Sequence, residues 1–465
     1  MLARSILLNC LLTWAVCTAA FGQLKLPAYS HEVLPNGVVV DLLPQTGVPL
    51  VGFRILVKGG VEAEPQNLAG LAGVTAQLLR KGTAQRSADQ FSEELDFLGG
   101  TFQTGDSSQS AATTISGEFL KKDFDRGLDL MTDAVLHPTF PEAEVKKALS
   151  QRVDAAKSQK DSPQSAINSY FAAYFFGPSH PYGHPPDELT LGRIERQEIV
   201  DFHERVYRGR NMVVIVTGDF DREKAAGKIR EAFGGVVPGQ AFEWTKSASP
   251  SAPSSLLLID KPDATQTYFY IGQPGIDRTN PDRVKLQLIN TLFGGRFTSM
   301  LNEALRVQSG LTYGASCILQ RSRLPGGMVI ATYTKTDTTE KAIDMALDVL
   351  KQLREKGITA EQLASAKAYI KGTFPTQQLE TMDQLSNILA DQELYGLGRD
   401  EIDDFFSRID SYSLDDINAA ARKYYKPDHL TFVLLGNAAK IRQVAAKYAP
   451  KVVEVSVNKP GFAAE

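Results

Sequence analysis

The sequence predicts a chain of two homologous halves, each mixing strands with helices, and three observations carry that expectation. The first is an internal repeat. Tyr207-Arg208-Gly209-Arg210-Asn211-Met212 runs into Val213-Val214-Ile215-Val216-Thr217-Gly218, and Tyr425-Lys426-Pro427-Asp428-His429-Leu430 runs into Thr431-Phe432-Val433-Leu434-Leu435-Gly436. An acid-Ile pair precedes each copy at the same offset, Glu198-Ile199 and Asp416-Ile417, so one unit occurs twice. The second is the stretch 237–255, rich in Pro, Ser, Gly and Ala, a linker composition between halves at 24–236 and 256–465. The third is a strand–turn–strand opening in which Pro35-Asn36-Gly37 separates β-rich runs, a strong hairpin signal.

Taken in order, strands are expected over 32–34, 38–43 and 51–57, and a helix follows the Gly59-Gly60 pair. Ser87 to Leu98 reads as another helix, closed by Gly99-Gly100, and Thr101 to Phe119 alternates like a strand pair. Helices over 124–136, 142–160 and 196–206 and a strand over 212–217 complete the first half. In the second, 267–272, 311–320 and 328–333 read as strands, and 281–292, 298–307, 339–356, 359–369 and 374–395 as helices. Ser179 to Glu188 places His180 and His184 at ligand spacing, but the prolines around them forbid a regular helix, so a packing loop is expected instead of a metal site.

With 43% hydrophobic and 22% charged residues, the 465-residue chain has an ordinary globular composition and the length for two domains. A net charge of −4 argues against a nucleic-acid or anionic-membrane role. Residues 1–22 read as a secretory signal: Arg4, an apolar run from Ile6 to Phe21, then Ala20-Phe21-Gly22 before Gln23. That run falls short of the roughly 20 apolar residues of a membrane span. A periplasmic or secreted protein without stable membrane insertion is expected. Cys10 and Cys17 leave with the signal, so Cys317 has no intramolecular partner and packs as a small hydrophobe.

The stretch Gly59 to Thr83 organises the functional reading. Leu68, Leu71, Ala72, Leu78 and Leu79 form an inward apolar face. The other face carries Gly73, Ala76, Gln77 and Arg80 and reads as bare, although a helical glycine costs roughly 1 kcal/mol against alanine. The frame resembles the zinc-binding helix of the pitrilysin/insulinase and mitochondrial processing peptidase family, whose active members carry H-x-x-E-H there. Aligned through Gly70-Leu71-Ala72 and Lys81-Gly82-Thr83, the first His falls on Gly73, the Glu on Ala76 and the second His on Gln77. The family's third ligand, a Glu on a later helix, falls on Ala155 when anchored on Asp161-Ser162-Pro163, beside Asp154, which reads as a solvated residue. All three ligand positions and the base are replaced, so no metal is expected on this chain.

A second match lies in the later half. Leu301-Asn302-Glu303-Ala304-Leu305-Arg306 and Gly310-Leu311-Thr312-Tyr313 resemble the family's Arg/Tyr segment, in which an Arg ends a helix and a Tyr opens the next strand. Such a pair can donate hydrogen bonds to a peptide carbonyl or to an oxyanion. His180-Pro181-Tyr182-Gly183 is a further match, and the resemblance runs from about Leu26 to Tyr448. It implies an α+β fold, each half a mostly antiparallel sheet layered with helices. It also implies a non-catalytic, substrate-binding subunit that presents Arg306 and Tyr313 to peptides, with zinc and the general base held by an H-x-x-E-H partner chain. One rival is a scaffold that has lost both functions. The other, an autonomous hydrolase, finds no G-x-S-x-G elbow and no thiol-protease setting around Cys317.

Overall fold

The computed structural model describes residues 24–105, 109–246, 248, 250 and 254–463, so the expected signal at 1–22 lies outside the described residues. In the first half, strands β1 (Ser30–Val33), β2 (Val39–Pro44), β3 (Leu50–Lys58), β4 (Thr101–Gly105), β5 (Ala112–Leu120) and β6 (Met212–Gly218) form one sheet in the order β1-β2-β6-β3-β5-β4. In the second, β7 (Ser255–Asp260), β8 (Gln266–Pro274), β9 (Ala315–Arg321), β10 (Pro325–Lys335), β11 (Thr431–Gly436) and β12 (Lys451–Ser456) give β12-β7-β11-β8-β10-β9. The two orders correspond strand for strand except at one edge. There β1 pairs antiparallel with β2, whereas β12 pairs parallel with β7. Both sheets are mixed and mostly antiparallel, the α+β arrangement expected.

The helices of eight residues or more in the first half are α1 (Leu71–Leu78), α2 (Ala88–Phe97), α3 (Phe124–Leu136), α4 (Glu142–Ser158), α5 (Pro163–Phe176), α6 (Arg196–Val206) and α7 (Arg222–Phe233). Those of the second are α8 (Arg283–Asn290), α9 (Thr339–Lys356), α10 (Ala360–Gln378), α11 (Met382–Tyr395), α12 (Leu414–Tyr424) and α13 (Ala438–Ala445). The helices expected over 359–369 and 374–395 part later than that, because α10 runs on through the expected gap to Gln378. The chain breaks at Leu379, and Thr381 restarts it by accepting from the Gln384 N–H in a capping box.

Each sheet buries one face under its own half's helices and the other under a helix of the opposite half. In the first sheet Phe53, Ile55, Val57, Val214 and Val216 face the helices of their own half. Val39, Leu43, Leu56, Val213 and Ile215 instead pack against Leu385, Ile388 and Leu389 of α11. Reciprocally, Leu257, Ile259, Val329, Val433 and Leu435 of the second sheet pack against Ile167, Tyr170, Phe171 and Phe175 of α5. A Cβ on Gly272 of β8 would lie 2.5 Å from the Phe171 ring, so only glycine lets that ring seat. Each large apolar side chain buried in these two crossings contributes roughly 1.5–3 kcal/mol.

Two ion-pair systems fix the same junction. Arg54 of β3 donates to Ser386 Oγ, Asn387 Oδ1 and Asp383 Oδ1 of α11. The Arg323 guanidinium, in the turn between β9 and β10, grips Glu62 with two parallel bonds of 2.7 and 2.6 Å. Tyr182 of the His180-Pro181-Tyr182-Gly183 match is buried, and its hydroxyl accepts from Leu324 N–H at 3.3 Å in that same turn.

Two imidazoles are locked neutral in this core. His203 of α6 stacks on Tyr207 and hydrogen-bonds through Nε2 to the Val135 carbonyl at 2.9 Å, and burial pushes its pKa down to about 4. Burial does the same to His180, whose Nδ1 accepts from Tyr182 N–H at 3.0 Å. A base with its folded pKa below its unfolded value stabilises the fold fully above pH about 6.5, and that contribution is lost as pH falls towards 4. Melting temperature should therefore drop across this window, and His203→Gln should flatten the drop when melts are recorded from pH 7 to 4. A native protein with a level profile there would contradict this account.

Candidate functional site

Two regions bear on chemistry, and the first is α1. Its N-terminus is capped by Glu64, whose carboxylate accepts from Gly70 N–H at 3.0 Å and Ala72 N–H at 2.7 Å, satisfying two of the helix's free donors. The face holding Gly73, Ala76 and Gln77 is not bare, as the sequence suggested: Gly73 and Ala76 are buried and Gln77 is partly buried. Helix α4 covers it. From α4, Arg152 Nε donates to Gln77 Oε1 at 2.6 Å and Nη2 donates to the Gly73 carbonyl at 2.9 Å. One guanidinium thus bridges the two residues aligned with the zinc-binding histidines.

The donor set there is an amide oxygen and a backbone carbonyl, both already engaged by a cation, with alanine in place of the base. Zinc wants imidazole, thiolate or carboxylate donors, and a fixed positive charge opposes it, so these residues do not fit the metal. Ala155 and Asp154, farther along α4, are both exposed. Gln77 borders an open groove with Arg80, Lys147 and the β4 residues Phe102 and Gln103. Strand β4 is the edge of its sheet, with one side of its backbone unpaired by any strand among the described residues.

The second region surrounds Arg306 and Tyr313. The expected helix over 298–307 is a short α-turn (Met300–Asn302) that widens into a π-helical turn (Glu303–Gln308) carrying Arg306. Tyr313 does not open a strand; it stands in the loop before β9. Thr332 pins that loop, its hydroxyl donating to the Gly314 carbonyl at 2.8 Å. Asn302 is buried and holds both flanks: its Nδ2 donates to the Phe297 carbonyl at 2.7 Å, and its Oδ1 accepts from Ala315 N–H at 3.2 Å.

The result is a three-layer stack. The Arg306 guanidinium carbon sits 4.6 Å from the centroid of the Phe297 ring and 4.6 Å from that of Tyr313. Both rings are unusually open, Phe297 at 64% and Tyr313 at 75% exposure. Among the described residues, neither the Arg306 guanidinium nor the Tyr313 hydroxyl has a hydrogen-bond or ion-pair partner. Ring faces hold the cation in place while its N–H edge stays free, an arrangement suited to a carbonyl or carboxylate. Phe297 escaped the sequence reading. The signal for it was the aromatic after Gly294-Gly295-Arg296, ahead of the helix that carries Arg306.

The other sequence candidates are structural. His184 Nε2 contacts the Pro178 carbonyl at 2.8 Å and His180 faces the core, so the two rings do not converge. Cys317 is buried on β9, and burial pushes its thiol up to about 12, far from nucleophilic.

Comparisons with known proteins bear on the family and the fold. Residues 42–175 match the model of insulinase, peptidase family M16, and residues 193–370 match that of the peptidase M16 inactive domain. A relative named non-peptidase homolog YmxG, from Helicobacter pylori, is 24% identical over 424 residues, covering 90% of this chain and 97% of that protein. An uncharacterized zinc protease of Mycobacterium leprae is 26% identical over 438 residues, covering 92% and 95%. The crystal structure of a peptidase M16 inactive domain from Pseudomonas fluorescens superposes with a TM-score of 0.82 at 23% identity, covering 88% of this chain and 98% of that one. With both halves matched in order and the two-sheet fold shared, the chain belongs to the M16, or insulinase, family of peptidases.

Proposed function

We propose that this chain is the non-catalytic, substrate-binding subunit of a heteromeric zinc metallopeptidase. The observation that carries this reading is the contrast between the two regions. The zinc-helix positions are filled by an internal cation contact, whereas Arg306 is stacked, only partly buried and, among the described residues, without a hydrogen-bond or ion-pair partner. A guanidinium and a phenol held at one point, with donors unspent, suit the carbonyl of a peptide or the oxyanion formed as it is attacked. The unpaired edge of β4 beside the Gln77 groove gives an extended peptide a place to add as a strand. Zinc and the general base belong, in this reading, to an H-x-x-E-H paralogue. The relative named as a non-peptidase homolog supports the absence of autonomous activity, and the apolar N-terminal run supports export to a periplasm or beyond.

The test is peptide hydrolysis by the purified chain alone, by the H-x-x-E-H paralogue alone, and by the two together. Cleavage by the mixture only is the expected result. Cleavage by this chain alone would overturn the reading. Equal cleavage by the paralogue with and without this chain would make it a scaffold.

A further inference from the structure

Away from both regions, three side chains converge with the donors of a metal site. His31 on β1 lies directly opposite Asp41 on β2, so both leave the hairpin on one face, the face that α11 covers. Glu393, near the end of α11, reaches the same point from the second half. His31 Nδ1 is 2.8 Å from Asp41 Oδ1 and 3.5 Å from Glu393 Oε1, and one donor atom from each residue lies within 4.8 Å of the others.

A second observation points to a cation ligand. Asp41 is only 1% exposed, yet its Oδ2 is buried without a hydrogen-bond partner. Among the described residues no Lys or Arg lies within ion-pair distance of Asp41 or Glu393; His31 is the basic group in contact with both. A His–Asp hydrogen bond alone would leave that oxygen and the second carboxylate unaccounted for, and buried carboxylate oxygens are costly when unpaired.

We infer that His31, Asp41 and Glu393 form a site for one first-row divalent cation, with zinc as its test ion, tying the N-terminal hairpin to α11. Two carboxylates and a neutral imidazole carry the charge that a divalent ion cancels. Zinc held at about 2.0–2.2 Å needs donors roughly 3.3 Å apart. The His31–Glu393 separation already suits this, and the His31–Asp41 contact opens by a few tenths of an ångström as metal replaces the shared hydrogen. The half-exposed His31 ring leaves an entry path and room for a water as fourth ligand. An imidazole in the set favours zinc-type ions over magnesium or calcium, which prefer all-oxygen shells. The site spans the two halves, so its role is to clamp them, and it owes nothing to peptide binding.

The test uses untagged, chelator-treated mature protein titrated with zinc by calorimetry, with melting curves in parallel. Native protein should take up one zinc per chain and melt higher with it. His31→Ala and Glu393→Gln, both at side chains with solvent access, should each weaken binding by about tenfold or more and abolish the thermal gain. Magnesium should do neither. Absence of saturable one-to-one binding would overturn the site, as would equal zinc affinity in native protein and both variants.

Discussion

Replacing Arg323 by methionine should destabilise the protein by about 3–5 kcal/mol, the usual consequence of removing one partner from a buried ion pair. The Glu62 carboxylate is completely buried, and both of its oxygens are engaged by the Arg323 fork. Among the described residues its one further donor is Thr245 N–H at 3.1 Å. Without the guanidinium, a carboxylate with no route to water must stay charged and half-satisfied or take up a proton. Arg323 also donates to the Thr245 carbonyl at 2.8 Å and lies over the Trp244 ring, so the connecting segment loses its anchor too. Arg323→Lys keeps the charge but not the bidentate fork and should fall between the two. The Glu62→Met/Arg323→Met double variant should recover most of the loss, because a well-packed apolar pair often replaces a buried ion pair without penalty. Denaturant unfolding measures all four proteins. A loss below about 1 kcal/mol for Arg323→Met would show that the pair is not what joins the halves here.

Replacing Arg306 by alanine should lower kcat of the reconstituted peptidase by about 10²–10³ while leaving complex formation intact, the scale seen when one oxyanion donor is removed. The side chain is presented by aromatic faces and not by hydrogen bonds, so its loss leaves no buried group unpaired and the fold should hold. Arg306→Lys separates charge from shape. A lysine ammonium can contact one ring, but it lacks the planar surface that lies between two, and it should restore only part of the rate. Phe297→Leu removes one layer of the stack and should raise KM more than it lowers kcat, since it frees the guanidinium without deleting it. Steady-state kinetics on the mixture, with complex formation checked by size-exclusion chromatography, decides between these effects. Unchanged kcat in Arg306→Ala would reduce the stack to a surface feature.

Much of the fold could be read because most elements announce themselves locally. Alternation marked β4 and β5, and spacing marked α3, α6 and α9. Some elements were missed because their signal is not local, whereas α7 and α12 were missed although Asp221 and Ser413 cap their starts. Helix α5 keeps a polar face only at Gln164, Ser165, Asn168 and Ser169, while Phe175 and Phe176 bury its last turn across that same arc, so its amphipathic stripe is short; the Ser162-Pro163 start was a further cue. Strand β7 is buried on both faces and reads as a plain apolar run next to linker composition. The vacated ligand set was legible through motif spacing, but what replaced it was not. Arg152 reaches Gln77 from 75 residues away, and nothing in the spacing of either helix brings them together. The π-turn that aims Arg306 was equally invisible, since it shares the apolar spacing of an ordinary helix.

The crossing of α5 and α11 has a further consequence, for how such a chain can arise and be taken apart. In each half the helix that crosses is the third after the central hairpin, α3-α4-α5 in one and α9-α10-α11 in the other. Each is exchanged onto the opposite sheet, the geometry of a domain-swapped dimer written into one polypeptide. A single ancestral unit could close its own sheet only by borrowing this helix from a second copy, so a symmetric dimer would precede the fused chain. By the same logic, either half produced alone would leave one sheet face uncovered and its own third helix without a seat. Such a fragment should self-associate until that face is covered again.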